Sequence, residues 1–473
     1  MISYQQTPVG ALSGKERLHR LFQHYQKPGP RYTSYPTAVH FHPLDPDDHE
    51  NYLRSPAKAA QAPLSLYFHL PFCPSLCTFC GCHTIINRDP GAREEYLDLL
   101  TREMDRREEK VPLTRRPVVQ IHWGGGSPSF LDPDQIRRLG AMIRERYSIV
   151  PGVEYSVEID PRQVTRETIR AFAEIGVNRA SLGVQDLHPD VQKAINRWQP
   201  QEVSEQTIRW LREEGIQAIN CDLIYGLPHQ TQERFCATLD TVLNWGVDRL
   251  TVFGYAHVPW VKPAQKVFEK KEIMLPPETR LAVLEEVHRR IPARGYAHLG
   301  LDHFALPHDP LAKAFAEGTM TRNFQGYATL GGVEIAAFGL SAIGQTAETY
   351  VQNVKDLSLY RRILREETYL PLERGIRLSA EDRMRREIIM DIMCGKVLDQ
   401  GHLADRWGPP FGEALARAKP ALEEMEADGL LTFHGGLLEV THHGRFFLRN
   451  IAMVFDAYLT PSTDGAAVYS KTL

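Results

Sequence analysis

Six short apolar, β-branched or aromatic runs recur along the first half of the chain: Leu64–Leu70, Val118–Trp123, Tyr155–Ile159, Ala180–Val184, Ala218–Ile224 and Leu250–Tyr255. Each reads as a buried strand, because such runs bounded by turn formers suit a strand covered on both faces. Between them apolar residues fall three or four apart, as in Tyr96/Leu99/Leu100/Met104, Ile136/Leu139/Ile143, Ile169/Phe172/Ile175 and Phe235/Leu239/Val242. That is the spacing of helices with one packed face. A strand-helix unit repeated six times demands a parallel sheet with right-handed crossovers. A doubly wound sheet would gather its polar residues at one switch point, whereas here polar or glycine-rich segments follow nearly every strand. The expected fold is therefore α/β, a partial six-stranded (β/α)6 TIM-like barrel.

The repeat does not account for the whole chain. Residues 1–50 form an N-terminal arm containing Arg31-Tyr32-Thr33-Ser34-Tyr35-Pro36, read as an extended segment without periodicity. The barrel and a β extension are expected over 51–372. Over 373–460 helices precede Leu430–Phe433, a Gly435-Gly436 turn, Leu437–Val440 and a long apolar helix from about Gly444 to Tyr458, which suggests a small, mostly helical, winged-helix-like domain. The polar tail 461–473 is expected to lack structure.

With 473 residues, 42% of them apolar and 24% charged, the chain suits a globular protein of one large or several smaller domains. A net charge of -4 offers no basic face for nucleic acid, and no partner of that class is expected. Residues 411–428 of the C-terminal segment carry Glu413, Glu423, Glu424 and Glu426, which would repel phosphates. The N-terminus has no apolar signal core, and the stretch Leu330–Gly344 is too short to span a bilayer, so a cytoplasmic protein without a membrane span is expected.

Seven cysteines are present, and Cys73, Cys77, Cys80 and Cys82 fall within ten residues. In an unexported chain such clustering reads as metal ligation. The cysteines follow the first strand, where barrel active sites are built. Three close thiolates suit a four-iron cluster with one iron left open, and an open iron suits a site that binds a substrate rather than one that only passes electrons. A zinc site would favour paired CxxC knuckles. Gly124-Gly125-Gly126-Ser127-Pro128 follows the second strand, where missing side chains let a ligand approach the backbone.

The spacing CxxxCxxC with Phe79 before its third cysteine resembles the radical S-adenosylmethionine superfamily, whose open iron chelates the methionine amino and carboxylate groups. The glycine segment resembles the bend that binds the methionine end. LSLYFHLPFCPSLCTFCGC, HWGGGSPSFL, SVEIDPR, SLGVQD, DLIYGLP, FGYAHVPW, GLDHF and NFQGY, in this order and preceded by RYTSYPT, are similar to the oxygen-independent coproporphyrinogen III oxidases from about Arg31 to Tyr458. The arm and the fourth cysteine separate that family from its haem-chaperone relatives.

The resemblance implies one [4Fe-4S] cluster on Cys73, Cys77 and Cys80, with S-adenosylmethionine on the fourth iron and Cys82 left unliganded. Tyr67, Gly125, Glu158 and Ile343 would contact that cofactor. A second S-adenosylmethionine nearby would meet Phe79, Gly126, Ser127, Gln185, Arg197, Asp222 and Ala256, with an Arg-Asp pair suiting its zwitterionic end. Phe324 and Gln325 match positions close to the reacting centre, beside Tyr67 and Glu158. Arg31 is a candidate clamp for a substrate propionate, whereas His69 and His122 read as hydrogen-bonded strand residues without a role. The implied reaction converts two propionates of coproporphyrinogen III into vinyls, giving protoporphyrinogen IX, with a flavodoxin or ferredoxin as low-potential electron donor to a monomer. A related haem-degrading radical enzyme and a haem chaperone are the alternatives.

Overall fold

The computed structural model describes residues 14–54, 62–271, 273–459 and 469–472. The six expected strands are β1 (Leu64–Leu70), β2 (Pro117–Gly125), β3 (Ser148–Ile159), β4 (Arg179–Gln185), β5 (Ala218–Tyr225) and β6 (Arg249–Gly254). They lie side by side in sequence order and every adjacent pair is parallel. The intervening helices are α1 (Pro90–Lys110), α2 (Pro133–Arg146), α3 (Arg166–Glu174), α4 (Gln201–Glu213) and α5 (Gln232–Asn244), with α6 (Pro277–Ala293) following β6. Asp132 with Gln135 and Thr165 with Thr168 close reciprocal capping boxes that fix where α2 and α3 begin.

A seventh parallel strand, β7 (Glu334–Phe338), pairs with β1 on its free side, setting Ala337 opposite Tyr67. Antiparallel strands extend both edges into one sheet of thirteen, from His42–Pro43 of the arm to Ala297–Gly300. The fold is thus mixed α/β around a large sheet with a parallel centre.

The strands are largely buried, as expected, but their two faces differ in chemistry. They alternate: Leu64, Leu66, Phe68 and Leu70 of β1 are buried in one core with Val118, Ile121 and Trp123 of β2 and the apolar faces of the helices. Each such side chain contributes about 1.5–3 kcal/mol through burial. The opposite face carries Ser65, Tyr67, Gln120, His122, Ser156, Glu158, Ser181, Asn220, Asp222 and Thr251. The register lines these up across the sheet, with Tyr67 opposite His122, Glu158 opposite Ser181 and Asp222 opposite Thr251. A parallel sheet with one polar face must enclose something polar on that side.

The arm is not wholly extended. Gly14–Tyr25 is a helix, and Leu18, Leu21, Phe22 and Tyr25 at helical spacing join the main core, where Phe22 and Tyr25 meet Phe447. Tyr32 donates to Asp456 at 2.8 Å, and Tyr35 accepts from the Ala457 N–H at 3.0 Å. Further along the chain, Pro409–Ala427 is a helix and Leu431–His434 pairs with Leu437–Val440 across the glycine turn. The long helix expected from Gly444 is instead a 3-10 turn, Gly444–Phe447, and a short α-helix, Leu448–Met453. A side chain at Gly444 would strike the Leu430 carbonyl, so the turn closes on a glycine. The expected tail lies outside the described residues over 460–468 and at 473, but Tyr469–Thr472 pack back: Tyr469 bonds Thr37 at 2.9 Å and Lys471 bridges to Pro28.

Candidate functional site

The cysteine loop leaves the end of β1 and returns on itself. Phe72–Cys73 pairs with Ile85–Ile86, and the N–H groups of Ile85 and Asn87 donate to Pro71 and Cys73 carbonyls at 2.8 and 3.2 Å. Neighbouring loops latch the excursion. Thr78 N–H donates to Ile195 O at 3.0 Å, Asn196 to Leu76 O at 2.7 Å, Gln265 to Phe79 O at 3.0 Å and Lys262 to Cys82 O at 2.5 Å. The loops after β4 and β6 therefore hold a segment that has little apolar content of its own.

Cys77 is buried, Cys73 and Cys80 are half-buried, and Cys82 is exposed. Among the described residues no three His, Cys, Asp or Glu side chains converge on a point suited to one metal ion. Four-iron clusters do not require that, since each thiolate binds a different iron. The electrostatics suit anionic sulfur: Arg162 and Arg197 each place a guanidinium nitrogen 3.6 Å from Cys77 Sγ. Hydrogen bonding from Cys82, opposed by burial and helped by Lys262 and Arg197, brings the Cys80 thiol down to about 6, whereas burial and the neighbouring thiols push Cys73 up to about 12. The donor set, the exposed fourth cysteine and the cationic surround fit an anionic iron-sulfur group.

Asp160 was missed by the sequence reasoning although it stands in the quoted SVEIDPR. Its carboxyl, raised by burial, is held below the usual carboxylate range by Arg197 and Arg162, which it meets at 3.1 and 2.6 Å. Arg197 is thus partnered by Asp160, and it also donates to Gly183 O at 2.7 Å. A signal was available: an Asp and an Arg two apart after a strand, with a second Arg beyond the next one.

The glycine segment has a task in the fold itself. Gly125 has φ +113, and a methyl group there would come within 2.7 Å of the His69 ring, while one at Gly126 would strike the Pro71 carbonyl. The missing side chains let the ends of β1 and β2 meet: Gly126 N–H donates to Leu70 O at 2.9 Å and Ser127 N–H to Phe72 O at 3.0 Å. Ser127 Oγ lies 3.0 Å from Ser129 Oγ, which in turn accepts from Asp160 N–H at 3.0 Å.

Beside this bend stand Tyr67 and Glu158. The Tyr67 ring stacks on His122 at 5.8 Å and its hydroxyl meets His69 Nδ1 at 3.0 Å. Glu158, with 47% of its side chain exposed, accepts from the Gly125 N–H at 3.1 Å and lies 3.5 Å from His122 Nε2. Burial raises its carboxyl, but His122 and the Gly125 N–H hold it below the usual range. His69 and His122 are hydrogen-bonded, His69 to the His83 carbonyl at 3.0 Å and His122 to Ser156 at 2.7 Å.

Further along the polar face, Asp222 takes hydrogen bonds from Ser181 and Asn220, both at 2.8 Å, and burial pushes its carboxyl up to about 6. Gln185 ends β4 at φ +69, a left-handed backbone uncommon for a residue with a side chain. Ala256 follows β6, and its carbonyl accepts from Gln265 at 3.3 Å. Phe324 and Ile343 are partly buried against a cluster with Phe41 and Tyr350, and Gln325 donates to Ser65 at 3.3 Å. Arg31 pairs with Asp302 at 3.2 Å, and Arg322 donates to the Arg31 and Tyr32 carbonyls. The structure therefore gathers Tyr67, Glu158, Gly125 and the cysteine loop at one mouth, with Arg197 and Asp222 at separate points around it.

The family model of the Radical SAM superfamily matches residues 67–242, and that of the HemN C-terminal domain matches 378–447. Residues 67–242 span the cysteine loop, the glycine bend and strands β2 to β5, so fold and site are of the class that uses S-adenosylmethionine with a [4Fe-4S] cluster. Oxygen-independent coproporphyrinogen III oxidase of Escherichia coli (strain K12) is 40% identical over 441 residues, 93% of this chain and 95% of that protein. The Helicobacter pylori (strain J99) protein of that description is 40% identical over 463 residues, 96% of this chain and 98% of its own. The solved structure of the E. coli coproporphyrinogen III oxidase (HemN), described as a Radical SAM enzyme, superposes with a TM-score of 0.86 at 39% identity, covering 91% of this chain and 98% of that one. The chain belongs to the oxygen-independent coproporphyrinogen III oxidase family. Among the described residues no helix is long and apolar enough to cross a membrane.

Proposed function

We propose that the chain decarboxylates two propionates of coproporphyrinogen III oxidatively and without oxygen, giving the two vinyls of protoporphyrinogen IX. The observation that carries the reading is the latched cysteine loop opening beside Tyr67 and Glu158 on a polar sheet face, in a chain matched nearly end to end by that family. Each propionate loses a hydrogen atom from the carbon β to the carboxylate, then carbon dioxide and one electron. Side-chain bases contribute about 10²–10⁴-fold and cannot take that unactivated hydrogen as a proton, so the reaction needs a radical carrier. When bound, the cluster with S-adenosylmethionine on its open iron supplies that carrier, a 5'-deoxyadenosyl radical.

In this reading Cys73, Cys77 and Cys80 hold the cluster and Cys82 does not. Arg162 and Arg197, set by Asp160, neutralise thiolate charge at Cys77. Glu158 accepts hydrogen bonds from the cofactor, and its lowered pKa keeps it an ionised acceptor at neutral pH. Tyr67, fixed between His122 and His69, gives the cofactor a packing face, with Gly125 and Ile343 completing its contacts. Phe79, Gly126, Ser127, Gln185, Arg197, Asp222 and Ala256 belong to a second S-adenosylmethionine. Phe324 and Gln325, on the hairpin over Ser65, face the substrate.

Two architectural details belong to the same reading. The in-order parallel strands with one polar face support a partial barrel over 51–372, and the hairpin after Pro409–Ala427 supports a winged-helix-like unit over 373–460, with the arm over 1–50. The enzyme acts in the cytoplasm as a monomer and receives electrons from a flavodoxin or ferredoxin.

The test is an anaerobic assay of the reconstituted, reduced protein with S-adenosylmethionine and coproporphyrinogen III, separating 5'-deoxyadenosine and porphyrins by chromatography. Protoporphyrin after oxidation is the expected product. Formation of 5'-deoxyadenosine without a decarboxylated porphyrin would overturn the substrate. Neither product from protein with a verified cluster would point to a haem carrier.

A further inference from the structure

Behind the mouth, where β5 and β6 end, lies a cavity closed by four distant parts of the chain. The arm contributes Arg31, α6 contributes Arg280, the C-terminal segment Arg445 and Arg449, and residues 469–472 Lys471, while Asp302 is the one carboxylate on its wall among the described residues. Lys471 is exposed, but the arginines that reach inward are costly to desolvate without a negative partner.

Most of these cations have a structural task. Arg31 is paired with Asp302 at 3.2 Å. Arg445 donates to His298 O at 3.0 Å and lies 5.0 Å over the Phe315 ring. Arg449 is buried and donates to the carbonyls of Gly29, Pro30, Lys471 and Thr472, tying arm to chain end.

Arg280 differs. It sits in the first turn of α6 over Gly226, its Nε is buried, and that nitrogen has no hydrogen-bond partner among the described residues. No ion pair engages its guanidinium among the described residues either. A desolvated donor without an acceptor costs about 1–3 kcal/mol, more when charged, and a fork of five donors matches a carboxylate in two parallel hydrogen bonds.

We propose that this cavity is a carboxylate subsite in which Arg280 is the anchor, taking a propionate that the substrate keeps. The inference rests on the reading above. Coproporphyrinogen III carries four propionates, of which two react, so two must be held elsewhere as the ring is presented to the mouth. Ala256 and Tyr255 line the cavity, which places it beside the loop that latches Phe79, and Leu284 and Phe446 give its wall apolar surface for the propionate methylenes. A carboxylate could also come from a second S-adenosylmethionine, and the experiment separates the two.

Binding of coproporphyrin III, the unreactive oxidised ring with the same four propionates, is measured by fluorescence on anaerobic reconstituted protein without S-adenosylmethionine. S-adenosylmethionine binding is measured separately by equilibrium dialysis. Arg280→Gln is expected to weaken coproporphyrin III about tenfold to a hundredfold, with Arg280→Lys recovering part of the loss. The tetramethyl ester, lacking the charges, should bind wild type and Arg280→Gln alike. Because the Arg280 side chain makes no hydrogen bond among the described residues, both variants should melt like wild type.

Unchanged coproporphyrin III affinity in Arg280→Gln overturns the subsite. Loss of S-adenosylmethionine affinity alone reassigns the carboxylate to the cofactor and overturns the substrate assignment. If wild type neither binds coproporphyrin III nor turns over coproporphyrinogen III, the proposed function itself fails and takes the subsite with it. Turnover by wild type with an indifferent Arg280→Gln condemns the subsite alone.

Discussion

Glu103 and Glu158 are two carboxylates of the same sheet body put to opposite uses. Glu103, on α1, is sealed on the helix side of the sheet, where it accepts from Gly339 N–H at 2.7 Å, Asn353 at 2.6 Å and Tyr360 at 2.5 Å. Burial raises its pKa above the usual carboxylate range despite those three donors. Glu158 stands on the polar face at the end of β3, with fewer donors and its carboxyl held below the usual range. Glu103 spends its acceptors on joining α1 to the β7 turn and the helix Leu357–Glu366. Glu158 keeps an acceptor edge open to the mouth. The difference teaches that a site carboxylate can be told from a structural one by what its oxygens still lack.

The largest effect should come from the loop beside Glu158. Cys73→Ser, Cys77→Ser or Cys80→Ser is expected to abolish cluster assembly and 5'-deoxyadenosine formation, read as iron and sulfide content after anaerobic reconstitution. Cys82→Ser should retain the cluster; equal loss in that variant would refute three-cysteine ligation.

Glu103→Ala should lower stability by about 3–5 kcal/mol, because three buried donors lose their acceptor at once. Chemical denaturation checks this, and a loss under about 1 kcal/mol would erase the contrast with Glu158. Glu158→Gln should do the reverse, leaving the denaturation midpoint close to wild type while weakening S-adenosylmethionine binding about tenfold to a hundredfold. A variant that unfolds early but binds normally would make Glu158 a second Glu103.

The smallest effect is a pH dependence at Asp222. Its folded pKa, raised by burial to about 6, exceeds the value near 3.8 expected when unfolded, so the native state holds the proton more tightly. Its contribution is full below about 3.8 and is lost as pH rises through 6. Asp222→Asn should remove that decline from a stability-pH curve, and an unaltered curve would show that Asp222 stays ionised.

Much of this was legible along the chain. The six strands fall where the apolar runs place them, and α1, α2, α3 and α5 bury the residues that their spacing selects. β7 was not legible, because Glu334–Phe338 joins β1 across some 270 residues and its short Ala-rich run carries no turn-bounded repeat. The arm helix departs from the extended segment expected, although Leu18, Leu21, Phe22 and Tyr25 keep helical spacing ahead of the aromatic motif. The polar sheet face escaped notice because Tyr67, His122 and Asp222 sit among stronger apolar neighbours.

By itself the sequence determined the repeat, the cysteine loop and the glycine bend, since each depends on residues a few positions apart whose spacing fixes local geometry. Tertiary structure alone decided that Arg197 answers to Asp160, that the glycines admit a neighbouring strand, and that Arg31, Arg280 and Arg449 share one cavity. Those pairings join residues tens to hundreds of positions apart, and only the folded path of the backbone, through burial and the satisfaction of charge, selects among the partners that composition allows.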